Sequence, residues 1–463
     1  MTLKQLFAPS DMTEGTPWKK ILIFTAPLLI GNIAQQLYST VDSIVVGRYI
    51  GDNALAAVGS ASPIFNLLLV MFMGISVGTS VMVAQYFGAK KSDDLSKTIG
   101  NCITLTAIAS ALIVIIGIFT TKPLLKLLRT PDSIIGWCNS YLKILVAGCA
   151  GVAYYNILCG VLRGLGDALS SLLYLLIATI VNTVLDILFV AKFQMGVPGV
   201  ALATVIAQFL SAILCVIRLS RMRNIFSLHL RDLKISARHT KTIIRLGIPS
   251  GITQGLFSFA MIVVQSLTNH FGELVIAANV VIMRVDGFAM MPNFSFGTAM
   301  STYAGQNIGA QRFDRVKKGA KQGTLMAVSI SATITLILLL FGKYLMGIFT
   351  KTAELVNLSA DMMKILAAGY IAMAVTQCLS GVIRGAGDTT TPMWIAVVTT
   401  FVIRIPLAYG ISYLTRTPEK PYGAYQCIWI SLLAAWIVGA VITSICYCKG
   451  RWKKKSILKK QDI

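Results

Sequence analysis

Apolar runs separated by short charged segments make up almost the whole chain. A run of about twenty apolar residues is long enough for an α-helix to cross the hydrocarbon core of a bilayer. Twelve such runs predict twelve transmembrane helices, near residues 20–47, 55–87, 99–121, 134–162, 168–190, 197–219, 243–270, 275–307, 322–349, 355–383, 391–414 and 424–448. The pattern therefore predicts an all-α integral membrane protein.

The composition agrees with this fold class. Of the 463 residues, 56% are hydrophobic and only 13% are charged, which leaves too few polar side chains to cover a water-soluble globule. The net charge of +23 does not indicate a nucleic-acid partner, because the basic residues flank the apolar runs as they do in membrane proteins. The basic tail from Lys449 to Lys460 is expected to face membrane lipid.

The basic residues also predict the orientation of the chain. Most of the 41 lysines and arginines lie in segments on the same side of the membrane as the two chain ends. Because basic loops stay in the cytoplasm, both termini are predicted to be cytoplasmic in a multi-pass protein of the plasma (inner) membrane. The nine cysteines are scattered and suggest neither a metal site nor a disulfide framework, and no cofactor is predicted.

A repeated sequence divides the chain into two halves. The sequence Gly160-Val-Leu-Arg-Gly-Leu-Gly-Asp recurs 221 residues later as Gly381-Val-Ile-Arg-Gly-Ala-Gly-Asp. Three shorter blocks recur with the same displacement, and they begin at Ala56, Gly88 and Lys143. Several blocks with one displacement indicate an ancestral duplication.

Each half holds six predicted helices, so the halves are expected to be parallel repeats related by an axis along the membrane normal. We predict an amino-terminal lobe over residues 1–220, a cytoplasmic linker over 221–241, a carboxy-terminal lobe over 242–448 and a basic cytoplasmic tail over 449–463. Two similar six-helix lobes that meet at a cleft are the architecture of alternating access.

Two acidic residues lie inside apolar runs of the first half. Asp42 is in the first run, and Asp186 is in the fifth, one helical turn beyond Asn182. An ionisable group inside a membrane is costly and is by default a functional candidate. The second half has apolar residues at the equivalent positions, which are Val263, Ile403 and Leu407. The polar site therefore belongs to the first lobe.

The positions of the two acids within their runs predict that both lie at the same depth in the membrane. Asp42 is six residues before the flanking Arg48, and Asp186 is six residues before the flanking Lys192. At ~1.5 Å per residue, both lie about 9 Å inside the outer flank. Three further polar residues are candidates to join them, and these are Tyr141, Asn156 and Thr204.

This residue set suggests cation chemistry. Two carboxyl groups held together in a low dielectric do not readily both ionise, so such a pair is expected to take up H⁺ or a hard cation such as Na⁺. The candidate Na⁺ ligands are Asp42, Asn182, Asp186 and Thr204. The alternative for each polar residue is a structural role, in which its side chain hydrogen-bonds a neighbouring helix.

The second half offers weaker polar candidates. Asp286 and Arg284 lie in one apolar run, but residues two apart do not share a helix face. Arg404 is expected to extend its charged end to the membrane interface or to pair structurally. Five residues are candidates for lining a substrate cavity, and these are Gln35, Arg284, Asp286, Met290 and Met291.

Together these motifs resemble the multidrug and toxic compound extrusion (MATE) family. The resemblance is carried by the Pro27 to Asp42 segment with Val46-Gly-Arg, the Ala84-Gln-x-x-Gly-Ala end of the second run, the doubled Arg-Gly-x-Gly-Asp loops and Asn182-x-x-x-Asp186. It covers nearly the whole chain. It implies a V-shaped pair of six-helix bundles that exports amphipathic or cationic compounds in exchange for H⁺ or Na⁺.

The resemblance also implies roles for single residues. Pro27 matches a proline at which the first helix bends. The seventh run, Ile248 to His270, contains no acidic residue, unlike the branch that has a cation site in the second lobe. Whether Asp286 takes part stays open. The positions that match the amino-terminal cation site of prokaryotic branches are Asp42, Tyr141, Asn156, Asn182, Asp186 and Thr204.

We therefore expect a secondary active antiporter, not an enzyme, that works as a monomer on small amphipathic or cationic drugs; H⁺ and Na⁺ both remain open as the coupling ion. The alternative is a flippase for lipid-linked oligosaccharides from the same superfamily. A flippase is expected to place several cationic side chains in its central cavity, and only Arg284 and Arg404 are obvious intramembrane arginines. A receptor or scaffold does not explain a duplicated six-helix unit with two buried acids.

Overall fold

The computed structural model describes residues 9–127 and 130–458, and within these ranges the chain is built from helices joined by short turns. Two π-helical turns, Leu188–Lys192 and Val398–Arg404, extend neighbouring helices. The α-helices are α1 Pro17–Tyr49, α2 Asp52–Gly88, α3 Ser92–Leu127, α4 Asp132–Ala147, α5 Cys149–Gly164, α6 Ala168–Ile187, α7 Gly196–Ser220, α8 Ala237–Thr268, α9 Glu273–Gly309, α10 Phe313–Gly347, α11 Ala353–Ala367, α12 Gly369–Gly385, α13 Thr390–Val397, α14 Ile405–Leu414 and α15 Cys427–Cys448.

The number of membrane spans agrees with the prediction. In the described chain, ten helical segments are long and apolar enough to cross a membrane. Two further spans are each made of two helices, α4 with α5 and α11 with α12, which are bent by 51° and 45°. Counting each bent pair as one span gives twelve, and the predicted all-α membrane fold is confirmed for the described residues.

The two bends occur at equivalent positions of the repeat. α4 ends before Gly148, and α11 ends just before Gly369, which is 221 residues later. A Cβ atom at Gly148 would collide with the side chain of Val205, and one at Gly369 would collide with the ring of Trp436. Each half therefore has a glycine where a neighbouring helix comes close to the bend.

The repeated Arg-Gly-x-Gly-Asp sequences form the same turn in both halves. Gly166 and Gly387 have φ angles of +86° and +92°, a region that residues with a Cβ atom avoid. The next residue caps the following helix, because Asp167 and Asp388 each accept the backbone N–H three residues later at 3.1 Å. The sequence repeat is thus a repeated helix-to-helix connection.

The described chain forms two compact units. The first unit contains residues up to Asp11 and Ala26–Gly251, and the second contains Met12–Thr25 and the chain from Ile252 onward. Residues 221–241, predicted as the linker between lobes, thus belong to the first unit.

Two helices, α1 and α8, contribute residues to both units. α1 passes from the second unit to the first within two residues of Pro27, and α8 passes from the first to the second within two residues of Pro249. A proline inside a helix removes one backbone hydrogen bond and makes bending easier at that point. The division between units therefore falls where each of these helices is locally weakened.

The amino-terminal segment is fastened within the second unit by buried hydrogen bonds. The Met12 N–H donates to the side-chain oxygen of Gln306 at 2.9 Å. The Asn307 amide donates to the Met12 carbonyl at 3.1 Å, and the Arg312 guanidinium donates to the Thr13 carbonyl at 2.6 Å. These contacts hold the start of α1 against α9 and α10.

The predicted basic tail follows α15. It starts with a 3₁₀ turn, Arg451–Lys454, in which the buried Trp452 ring stacks on Tyr447 at a centroid distance of 5.5 Å. The basic side chains of this turn are exposed, and the Lys453 ammonium lies over the Trp452 ring, 5.8 Å from its centroid. Residues 459–463, including Lys460, lie outside the described residues.

Candidate functional site

The two predicted acidic residues of the first unit lie side by side. Asp42 is in α1 and Asp186 is in α6, and their carboxyl groups are within hydrogen-bonding reach of each other. Asp186 is fully buried. One oxygen of each carboxyl, Oδ1, is buried without a hydrogen-bond donor among the described residues. The site is therefore an acidic pair with open acceptor atoms inside a membrane-spanning unit.

Asn182 connects this pair to α7. Its amide is buried, and in the orientation that satisfies both of its ends the nitrogen donates to Asp186 Oδ2 at 3.1 Å. The amide oxygen then accepts the backbone N–H of Thr204 at 3.3 Å. The Thr204 hydroxyl donates to the Val200 carbonyl at 3.1 Å, which leaves the lone pairs of its oxygen as acceptors. The predicted grouping of these residues is what the structure shows.

Two tyrosines lie close to the carboxyl pair. Tyr141 of α4 is buried and interacts electrostatically with both carboxyl groups. Tyr38 of α1 also interacts electrostatically with both. The Tyr38 hydroxyl also lies near the side chains of Thr204 and Gln208. Tyr38 and Gln208 were not among the residues singled out in the sequence. Each is four residues from a predicted site residue, so helical spacing was the signal that could have found them.

This arrangement can hold a proton or a small hard cation. Two carboxyl groups at this separation repel each other when both are ionised, so the pair is stable with a proton or a cation between them. Hard cations prefer carboxylate, amide and hydroxyl oxygens. The open Oδ1 atoms of Asp42 and Asp186 fit such a cation, with the Thr204 hydroxyl nearby as a further oxygen.

Three other predicted residues of the first half lie elsewhere. The Asn156 amide donates to the Val152 carbonyl of its own helix at 2.8 Å, and the Asn156 carbonyl accepts the Ser76 hydroxyl at 2.8 Å. No contact among the described residues joins Asn156 to the carboxyl pair. Pro27 lies inside α1, fifteen residues before Asp42, and Gln35 is exposed on the same helix.

In the second unit, Asp286 of α9 has two partners. The Tyr370 hydroxyl donates to Asp286 Oδ1 at 2.9 Å, and Arg404 interacts with the carboxyl electrostatically. Arg404 therefore lies within electrostatic range of the Asp286 carboxyl, but no ion pair or hydrogen bond joins the two side chains among the described residues. Arg284, two residues before Asp286, has an exposed side chain.

The remaining candidates for a substrate cavity differ in their surroundings. Asp286 lines a cavity of about 530 Å³ together with Arg404. Met290 and Met291 are buried, and Met290 packs in the hydrophobic core of the second unit. Of these candidates, Asp286 lies at a cavity in the described structure, and its role in substrate binding stays a prediction.

A comparison with protein families identifies the chain. The family model MatE matches it twice, over residues 27–188 and 249–410, so the two halves of the repeat each carry the family pattern. The chain belongs to the MatE family. The resemblance to MATE transporters predicted from the sequence is therefore confirmed. Members of the MatE family are transporters, so the chain is a membrane transporter and not an enzyme.

Curated relatives match along nearly their whole length. The chain is 28% identical to "Probable multidrug resistance protein YoeA" of Bacillus subtilis, with 98% of each chain covered. It is 25% identical to "Probable multidrug resistance protein NorM" of Thermotoga maritima, with 96% of this chain and 95% of the relative covered.

Solved structures share the fold. A MATE in the bent conformation matches with a TM-score of 0.89 and 23% identity, covering 99% of this chain and 100% of the other. An outward-facing multidrug resistance MATE family transporter matches with a TM-score of 0.88 and 23% identity, covering 96% and 99%. The MatE fold is therefore present over the whole chain.

Proposed function

We propose that this MatE protein is a multidrug efflux antiporter that exports amphipathic or cationic compounds in exchange for H⁺ or Na⁺. The single observation that carries the proposal is the contact between the Asp42 and Asp186 carboxyl groups, with open oxygens, inside a membrane-spanning unit. The names of the relatives, both multidrug resistance proteins, support the class of exported compound.

Coupling follows from the charge of the acidic pair. Loading the pair with a proton or a cation removes negative charge beside α1, α6 and α7, and unloading restores it. An ion that binds one conformation more tightly than the other shifts the population of the two, and a drug with the opposite preference is released. Exchange then needs no direct contact between ion and drug.

The first helix is the element through which loading is expected to act. α1 carries both Asp42 and Pro27, so a change in the contacts of the carboxyl is transmitted along a helix that the proline weakens. We expect a bend at Pro27 to accompany release of the drug.

In the cell, we propose that the protein lies in the plasma (inner) membrane with both termini in the cytoplasm. We also propose that the monomer is the working unit.

The relatives' names favour drug export over the lipid-linked oligosaccharide flippase considered from the sequence. Retention of ethidium by cells that produce the protein separates the two functions. An exporter lowers the retained dye relative to cells that produce Asp42→Asn. A flippase leaves retention unchanged in both.

The decisive experiment is ethidium efflux from vesicles under separately imposed pH and Na⁺ gradients. We expect one of the two gradients to drive efflux by the wild-type protein, and the gradient that works identifies the ion. Asp42→Asn should remove driven efflux, whereas the matched control Asp314→Asn, at a fully exposed carboxylate, should not. Driven efflux that persists in folded Asp42→Asn vesicles would refute the proposal.

A further inference from the structure

A small chamber in the second unit is lined by two arginines. Arg384, near the end of α12, and Arg404, at the end of the π-helical turn, both line a cavity of about 100 Å³. No acidic residue is among the described residues that line it. A water molecule occupies ~30 Å³, so the chamber has room for about three waters or for one small charged group.

The Arg384 guanidinium is uncompensated. Within the described chain it makes neither a hydrogen bond nor an ion pair with another residue. Arginine stays protonated in proteins, and an enclosed charge without a partner is unfavourable. A bound anion would remove this penalty.

Arg404 is compensated only in part. It interacts with Asp286, but that carboxyl is shared with the Tyr370 hydroxyl. The Nε atom of Arg404 is buried without an acceptor among the described residues. Two arginines and one ionised aspartate leave one positive charge in excess, which is the charge that a single carboxylate balances.

Neutral donors complete the lining of the chamber. The side chains of Gln377, Ser380 and Thr400 are buried there, and none of them hydrogen-bonds another described residue. Guanidinium, amide and hydroxyl groups all donate hydrogen bonds to a carboxylate, and those from a guanidinium are the strongest because they are charge-assisted. The chamber therefore combines excess positive charge with unused donors.

The chamber adjoins the larger cavity of about 530 Å³, because Arg404 and Leu432 line both. The larger cavity has apolar lining residues, among them Met261, Met283 and Trp429. We propose that a carboxylate-bearing amphiphile binds in the second unit, with its apolar body in the larger cavity and its carboxylate on Arg384 and Arg404. The proposal rests on the export function above and adds organic zwitterions and anions to the compounds accepted.

Equilibrium binding of two matched dyes tests this site in the purified full-length protein. Rhodamine B is a zwitterion, and its ethyl ester keeps the cationic ring system but lacks the free carboxylate. Fluorescence polarisation gives the Kd of each dye in detergent, and the ratio of the ester Kd to the rhodamine B Kd measures the preference for the carboxylate. We expect a ratio of about ten for the wild type, which corresponds to about 1.4 kcal/mol.

Three variants should change this Kd ratio in different directions, and a fourth serves as the control. Arg384→Gln should bring it to about one, and Arg384→Lys should retain part of it because the charge remains. Asp286→Asn should raise it, since a competing negative charge is removed. The control is Arg163→Gln, at the equivalent position of the first half, where the guanidinium contacts Ser76 instead of a chamber. This variant should keep the wild-type ratio.

The possible outcomes distinguish a carboxylate site from an inorganic-anion site and from no anion site. A wild-type ratio of one, an unchanged ratio in folded Arg384→Gln, or a lowered ratio in Asp286→Asn overturns the inference. If chloride raises the melting temperature in an Arg384-dependent way while the dye ratio is one, the chamber is an inorganic-anion site and the carboxylate assignment is wrong. If the ester binds and is exported without a carboxylate preference, this inference fails alone. If neither dye binds the folded protein, this inference fails, and the export function is decided separately by the ethidium efflux experiment.

Discussion

The two halves of the chain share their turns but differ in their buried charges. In both halves a glycine with positive φ precedes an aspartate that caps the next helix. In the membrane, the first unit holds two carboxyl groups against each other, whereas the second holds the single carboxyl of Asp286, which interacts with Arg404. After duplication, the connections were thus retained because the fold needs them, while the buried charges diverged. This difference in charge is the basis for proposing a cation site in the first unit and a carboxylate site in the second.

The largest effect should come from the acidic pair itself. Asp42→Asn and Asp186→Asn should each lower driven ethidium efflux at least about tenfold, and the double variant should be no worse than either single one, because the two carboxyl groups act as a unit. Initial rates from vesicles with equal amounts of protein give the comparison. Additive losses in the double variant would show that the two carboxyls work independently.

A second test separates the two arginines near Asp286. Arg404→Gln removes the positive charge that interacts electrostatically with Asp286 and should destabilise the protein by about 1 kcal/mol. Arg284→Gln removes an exposed side chain and should change stability by less than about 0.5 kcal/mol. Thermal denaturation in detergent, with loss of monodisperse protein as the readout, ranks the two. Equal melting temperatures would contradict a stabilising interaction between Arg404 and Asp286.

The shared turns offer a third comparison. Asp167 caps α6 and also accepts a hydrogen bond from Arg218 at 2.8 Å, whereas Asp388 makes no ion pair with another described residue and accepts only from Thr390 and Thr391. Asp388→Ala should cost about 1 kcal/mol for the lost cap, and Asp167→Ala should cost about 2 kcal/mol because an ion pair is lost as well. The same denaturation assay measures both. A larger loss for Asp388→Ala would reverse the expected order.

The smallest effect concerns a residue found only in the structure. Tyr38→Phe removes a hydroxyl near the carboxyl pair and the side chains of Thr204 and Gln208. The Tyr38 hydroxyl is buried without a hydrogen-bond partner among the described residues, so it is available to a bound ion. Loss of a contact worth about 1 kcal/mol should raise the ion concentration that gives half-maximal efflux about fivefold. Tyr409→Phe, at an exposed tyrosine of the second unit, is the matched control. An unchanged ion dependence would place Tyr38 outside the site.

Much of the first site could be predicted from residue type and spacing. Asp42 and Asp186 were evident because a charge in an apolar run is rare, and Asn182 because it lies one turn from Asp186. Tyr38 and Gln208 could not be identified as site residues from the sequence, because tyrosine and glutamine in a membrane helix often have only structural roles. Asn156 was predicted by resemblance, and its contacts in the structure are to the helices around it.

The second site depended on long-range packing. Arg384 belongs to a repeated turn sequence that predicts only a loop, and Arg404 lies sixteen residues from the nearest acid before it, Asp388. Their spacing in the sequence does not predict that Arg384 and Arg404 line one chamber with Gln377. It also does not predict the electrostatic interaction of Arg404 with Asp286. These neighbours come from α9, α12 and the segment between α13 and α14, which only meet in the folded unit.

The sequence by itself determined the membrane class, the twelve spans, the repeat and the two acids, because each of these depends on local composition or on a fixed displacement along the chain. The tertiary structure decided which polar groups come together: that Asn182 connects Asp186 to Thr204, that Arg404 lies within electrostatic range of Asp286, and that Arg384 has no partner among the described residues. The physical reason is that hydropathy acts along the chain, whereas charge pairing acts across space between helices distant in sequence.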